Sequence, residues 1–171
     1  ALVVVHVDDC LLTTAPGAVP AFKSLIEGKI PMKWPDTIDE SHWTTFLGRQ
    51  YRLRDGGVLL RAVPGYVDQM LTDVGVGNAS ATALPYGQGG ASVANDGPVL
   101  NAQRASVFRS VVGRLMWMAP LRPDLQYIAK ETARRVSAPT ELDWANMKNI
   151  CRYLRGTGDR MLFLHDGRVS P

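Results

Sequence analysis

Leu2-Val3-Val4-Val5-His6-Val7-Asp8-Asp9-Cys10-Leu11-Leu12-Thr13-Thr14 opens the chain with two short apolar runs on either side of an acidic pair. Unbroken apolar runs of this length are the pattern of strands buried on both faces, and Asp8-Asp9 is read as the turn between them. A chain that begins inside such a strand is expected to have lost its beginning. Further along, Val19, Phe22, Leu25 and Ile26 fall at helical spacing within residues 18–29, and Pro16-Gly17 punctuates their start. Residues 43–54 alternate as a strand through Phe46, Leu47, Tyr51 and Leu53. Asp55-Gly56-Gly57 is a hairpin signal, with Val58-Leu59-Leu60 as the returning strand. A short helix follows Pro64, burying Val67, Met70, Leu71 and Val74.

The pattern then changes. Residues 75–101 are rich in Gly, Ala, Ser and Asn, include Gly87-Gln88-Gly89-Gly90, and have no apolar period. They read as a linker or long loop, and the glycines lack the Lys-Ser/Thr and strand-to-helix context of a phosphate loop. Three helices are expected beyond them: one through Phe108, Val111, Val112, Leu115 and Met118, one over 123–136 with Pro in its first turn, and one over 140–155 stopped by Gly156. Met161-Leu162-Phe163-Leu164 is a final strand. The fold class is therefore α+β: a short antiparallel sheet with a helix over residues 1–75, a linker over 76–103 and a helical region over 104–171.

A length of 171 residues suits one domain or parts of two. With 46% hydrophobic and 20% charged residues, 16 Gly and 11 Pro, the composition excludes collagen-like, fibrous and disordered classes. Cys10 and Cys151 form no close pair, which argues against a disulfide framework or zinc cluster and for a reducing compartment. No apolar run reaches the roughly 18 residues that cross a bilayer, so no membrane partner is expected. The net charge of +3 hides an asymmetry: residues 1–99 carry 7 Lys/Arg against 10 Asp/Glu, or −3, and residues 100–171 carry 12 against 6, or +6. One part suited to cations and another suited to polyphosphate is what such a division implies.

Two features could carry chemistry. Adjacent carboxylates at a tight turn can present hard oxygens to Mg²⁺, provided the turn redirects side chains that a straight strand would point to opposite faces; an ordinary solvent-exposed turn is the other reading of Asp8-Asp9. Lys148, Arg152 and Arg155 recur at i, i+4 and i+7 opposite an apolar stripe of Met147, Ile150, Cys151 and Leu154, and Lys130, Arg134 and Arg135 extend the basic surface. That stripe fits phosphate-backbone contact, or equally the solvated face of a bundle helix. Trp117, Trp144 and Tyr153 suit base stacking or a core. His6, His42 and His165 match no metal or nucleophile–base spacing.

His6-Val7-Asp8-Asp9 followed by Leu11-Leu12-Thr13 resembles the Tyr-x-Asp-Asp segment of reverse transcriptases, in the form found in copia-type LTR retrotransposon polyproteins. Other segments resemble the same family in order: Phe46-Leu47-Gly48, Tyr66 to Leu71, Leu84-Pro85, Phe108 to Leu115, Arg122-Pro123-Asp124, Pro139-Thr140, Trp144, and Arg152 to Thr157. The resemblance implies a partial polymerase palm followed by a helical thumb-like region. It implies two Mg²⁺ ions about 3.5–4 Å apart, with Asp8 and Asp9 as palm carboxylates and Asp8 the more direct ligand. It also implies a primer grip at Phe46, Leu47 and Gly48, Lys33 near the triphosphate as a proton donor, and duplex contact by Lys130, Arg134, Arg135, Lys148, Arg152 and Arg155.

The implied partners are an RNA or DNA template with a DNA primer, dNTPs, and the remainder of a Pol polyprotein: upstream palm and fingers with a third carboxylate, and a downstream RNase H. The implied location is intracellular, in cytoplasmic particles and the nucleus. His6 stands where the family usually has Tyr, and Arg49-Gln50 and Leu121 depart from the common Ile-Glu and Thr. Alone, the chain is expected to be inactive; a non-catalytic nucleic-acid-binding remnant of a retrotransposon polyprotein is the alternative.

Overall fold

Turn chemistry sets the strand order. In the computed structural model, which describes residues 1–34, 37–86 and 97–167, the first strand pair is a hairpin of β1 (Leu2–His6) and β2 (Asp9–Thr13), antiparallel with His6 opposite Asp9. Its two-residue turn is Val7-Asp8 rather than Asp8-Asp9, because Asp9 is already paired with His6. Helix α1 (Val19–Glu27) follows a short 3₁₀ turn and buries none of its residues fully. The expectation of a strand buried on both faces fails: Leu2 is 62% and Val5 65% exposed. Among the described residues no further layer covers this two-stranded sheet, and β1, β2 and α1 pack only sparsely against the remaining elements.

The second sheet is built by two tight turns. Residues 43–54 do not form one strand. β3 (Thr44–Phe46) turns at Leu47-Gly48 into β4 (Arg49–Arg54), with φ of 49° and 72° at the two turn residues. Positive φ at both central positions is the twist a two-residue hairpin needs; Gly48 adopts it freely, and Leu47 is carried with it. Asp55-Gly56 makes the next turn, into β5 (Gly57–Ala62), with Arg54 opposite Gly57. β6 (Leu162–His165), from the far end of the chain, pairs antiparallel with β5 and completes the order β3-β4-β5-β6. Gly57 permits this closure, since a Cβ there would run into the Leu164 carbonyl oxygen.

One helical core joins the two ends of the chain. α2 (Tyr66–Val74) buries Met70, Leu71 and Val74; α3 (Ala102–Met118) buries Phe108, Val111, Val112, Leu115 and Met118. α4 (Gln126–Ala133) contributes Ile128 and Ala129, and α5 (Glu141–Thr157) contributes Met147, Ile150, Cys151 and Leu154. Trp144 and Tyr153 are core residues too, and Trp117 stacks on Tyr66 with ring centroids 4.6 Å apart. α5 starts where Thr140 accepts a bond from the Asp143 N–H and the Asp143 carboxylate accepts from the Thr140 N–H, a reciprocal cap that satisfies two end groups. No helix among the described residues is long and apolar enough to cross a membrane.

The stretch read as a linker is tied down in its described parts. Thr82 N–H donates to the Arg152 carbonyl, Arg152 Nε donates to the Ser80 carbonyl at 2.8 Å, and Val76 and Leu100 are buried in the core. Gly87 to Gly90 lie outside the described residues.

Two substitutions test this packing. Phe108→Ala should lower the unfolding free energy by about 3–5 kcal/mol, because it empties a fully buried ring site; urea denaturation measures it. Gly57→Ala should cost about 1–3 kcal/mol by overpacking and should free the amides of Leu162 to His165 in hydrogen exchange while the α3 amides stay protected.

Candidate functional site

The acidic pair sits at the tip of the β1–β2 hairpin. Val7 is held at φ 53°, a conformation that a β-branched residue adopts only under constraint. Asp8 occupies the second turn position and Asp9 opens β2, and both are exposed. His6 is on the same face as Asp9 by register. Among the described residues no group of three or more His, Cys, Asp or Glu side chains is placed to hold a metal ion. Two carboxylates are therefore what this turn offers, and they are hard oxygen donors of the kind Mg²⁺ takes. Lys33 is exposed in the irregular segment after α1.

Phe46, Leu47 and Gly48 form the β3–β4 turn and its entry rather than a strand. The turn lies against α3: a Cβ on Gly48 would sit 3.5 Å from the Trp117 ring, and the Arg49 guanidinium lies 5.3 Å from that ring's centroid. Arg49 Nε is buried without a hydrogen-bond partner.

The six basic residues expected to contact phosphate are in different states. Lys130, Lys148 and Arg155 are exposed. Arg134 is exposed and 3.4 Å from Glu131, and Arg135 lies 3.9 Å from Asp143. Arg152 is half-buried and spends its Nε on the Ser80 carbonyl, so it holds residues 80–82 against α5.

A polar cluster around the buried Arg122 is not foreseen from the sequence, although Arg122-Pro123-Asp124 and Arg152 to Thr157 are segments of the resemblance. Arg122, 4% exposed, donates from Nε and Nη2 to the two oxygens of Asp124 at 2.9 and 2.8 Å, and from Nη1 and Nη2 to the carbonyl and hydroxyl of Thr157. Tyr153 OH donates to Asp124 at 2.6 Å, and Arg160 donates to both the Tyr153 hydroxyl and Asp124. The Arg122 bonds hold the Asp124 carboxyl down at about 2, below its ordinary 3.8, while burial and the Asp124 bond push the Tyr153 phenol up. On α5, burial pushes the Cys151 thiol up to about 12; a thiol so placed is inert as a nucleophile.

No protein-family model matches the chain, and no solved structure matches it. An uncharacterized mitochondrial protein of Arabidopsis thaliana is 29% identical over 122 residues, which cover 70% of this chain and 48% of that protein. The retrovirus-related Pol polyproteins from transposons RE2 and RE1 of the same plant are 38% and 37% identical over 62 residues, 36% of this chain and 4% of each polyprotein. The chain is thus similar to retrotransposon Pol polyproteins, and its match spans about half of the mitochondrial relative and a small part of the others.

Because Asp124 is depressed in the folded state, its contribution is fully present above about pH 4 and is lost as the pH falls toward 2. Asp124→Asn should therefore destabilise the chain at pH 6 and make little difference near pH 2, as measured by denaturant midpoints across that range. An equal deficit at every pH would contradict the charged clamp.

Proposed function

We propose that this chain is the C-terminal palm and thumb portion of a copia-type RNA-directed DNA polymerase, working by two-metal-ion nucleotidyl transfer within a Pol polyprotein. The observation that carries the reading is the strained turn at Val7, which leaves Asp8 and Asp9 exposed together at a hairpin tip. Strain of this kind concentrates at functional sites. The similarity to retrotransposon Pol polyproteins supports a copia-type retroelement origin.

Mg²⁺ is commonly held by one or two carboxylates, with water and substrate phosphates completing its shell, and Asp8 and Asp9 fit that donor set. When bound, the two ions would supply activation of the primer 3′-hydroxyl and neutralisation of the triphosphate. The chain's own residues do the positioning. Asp8, in the turn, is the more direct ligand, and Asp9 supports it from the start of β2. The Leu47-Gly48 turn, with Phe46 at its entry, offers a rigid edge to the primer terminus, a gain in rate through orientation.

Lys130, Lys148 and Arg155 are the exposed cations for duplex phosphates; Arg134 and Arg135 join them only by giving up Glu131 and Asp143. Lys33 is the proton donor for the triphosphate. The partners are a primed RNA or DNA template, dNTPs, and the upstream palm, fingers and downstream RNase H of the polyprotein, in cytoplasmic particles and the nucleus. Alone, the chain holds primer–template without extending it. The exposed cations equally favour a second reading, a non-catalytic nucleic-acid-binding remnant.

Manganese titration separates the two. Mn²⁺ should broaden the amide NMR signals of residues 6–10, and Asp8→Asn with Asp9→Asn should remove the effect. Joined to its upstream palm and fingers, the chain should extend a primed RNA template, and the double variant should not. Hairpin amides untouched by Mn²⁺, with duplex binding unchanged by the double variant, overturn the polymerase in favour of the remnant.

A further inference from the structure

Period-two alternation puts Gln50, Arg52 and Arg54 on one face of β4, and the register with β5 adds Arg61, directly opposite Gln50. The same rule, carried across β5 to β6, brings Phe163 and His165 onto this face, since Phe163 is opposite Leu59 and His165 opposite Gly57. Trp43, just before β3, also belongs here: its ring lies 4.0 Å from the Arg61 guanidinium and 4.7 Å from that of Arg52. The opposite face carries Arg49, which is turned to Trp117 on α3. The arginine face is therefore the one directed away from that helix.

The charged side chains that β4 and β5 place on this face are all arginines, and Asp68 and Asp159 share a pocket with Arg61. No carboxylate among the described residues forms an ion pair with Arg52, Arg54 or Arg61. Asp55 and Asp166 lie beyond the strand ends. Arg61 is oriented by its bond to Gln50 Oε1 at 2.9 Å and by Trp43, so its guanidinium is pre-positioned at small entropic cost. These arginines lie in the half of the chain whose net charge is −3, so their grouping comes from strand register and not from a basic composition. Phe163 is 41% exposed, with its ring 6.1 Å from that of His165.

We propose that this face of the β3-β4-β5-β6 sheet binds single-stranded nucleic acid. Arg52 and Arg54, about 6.8 Å apart along the strand, engage successive phosphates. Phe163, two strands across at about 10 Å, stacks on a base. Guanidiniums tracking a backbone beside an exposed ring make a sequence-tolerant platform for unpaired bases. A duplex keeps its base faces stacked internally and offers Phe163 nothing. This surface does not include the Asp8-Asp9 turn, although Arg61 shares a pocket with Leu154 and Arg155 of α5, and it stands whether or not the chain is a polymerase.

The probe is a fluorescein-labelled twelve-nucleotide oligo(dT), followed by anisotropy with the full 171-residue chain. Arg52→Ser with Arg54→Ser should weaken binding roughly tenfold or more at low salt and flatten the log–log salt slope by about 1.4. Phe163→Ala should weaken binding at every salt concentration and leave the slope unchanged.

Ultraviolet cross-linking of the unmodified chain to a bromodeoxyuridine oligonucleotide gives a readout independent of folding defects in variants, with adducts expected on peptides carrying Trp43 or Phe163. The proposal is overturned by adducts confined to α4 and α5, or by oligo(dT) affinity indifferent to both sheet variants. Equal affinity for a polyglutamate of matched charge also overturns it and assigns the face to an acidic polypeptide.

Discussion

The Arg122–Asp124 pair is the constraint on which the helical half and its sheet depend. A guanidinium at 4% exposure has left water almost completely, a move that is costly unless every donor finds an acceptor. Here the fork is matched by two carboxylate oxygens and by the carbonyl and hydroxyl of Thr157. The pairing ties the corner after α3 to the last turn of α5. From that turn the chain reaches β6, and β6 closes the sheet against β5. Removing Asp124 would leave the buried Arg122 charge without its counter-ion, so the arrangement fixes where the end of the chain can go.

Much of the architecture is legible in the sequence because it rests on local rules. The apolar spacing of Phe108, Val111, Val112, Leu115 and Met118 is that of a helix buried along one stripe, and α3 is that helix. Asp55-Gly56 is a two-residue hairpin turn by composition and in fact. What local rules miss is interruption and company. Leu47-Gly48 breaks an alternating run because Gly48 allows a turn that Leu47 alone would resist. Leu2 to Val5 have the composition of an interior strand but are exposed, because nothing among the described elements covers them.

The candidate sites divide along the same line. Asp8 and Asp9 are conspicuous as a dipeptide, and the turn brings them together at one tip, shifted by one residue from the expected position. The basic stripe of α5 is periodic in sequence, yet Arg152 faces Ser80 through a hydrogen bond that spacing on one helix cannot foretell. Arg52, Arg54 and Arg61 were hidden for the opposite reason. Their common face emerges only when the register of β4 on β5 is known, and the acidic sum of residues 1–99 conceals them further.

The bare β1–β2 hairpin has a thermodynamic consequence for the carboxylates at its tip. A two-stranded hairpin is marginal in water by itself, so the fraction of molecules with Asp8 and Asp9 correctly juxtaposed is set by the hairpin's own opening equilibrium. Any cation gathered there sees its intrinsic affinity reduced by that fraction. A surface that covers Leu2 and Val4, which share one face of β1, raises the ordered population and would tighten any such cation binding at a distance, without touching either carboxylate. By linkage, a cation held there would tighten the grip of that surface on the hairpin by the same factor.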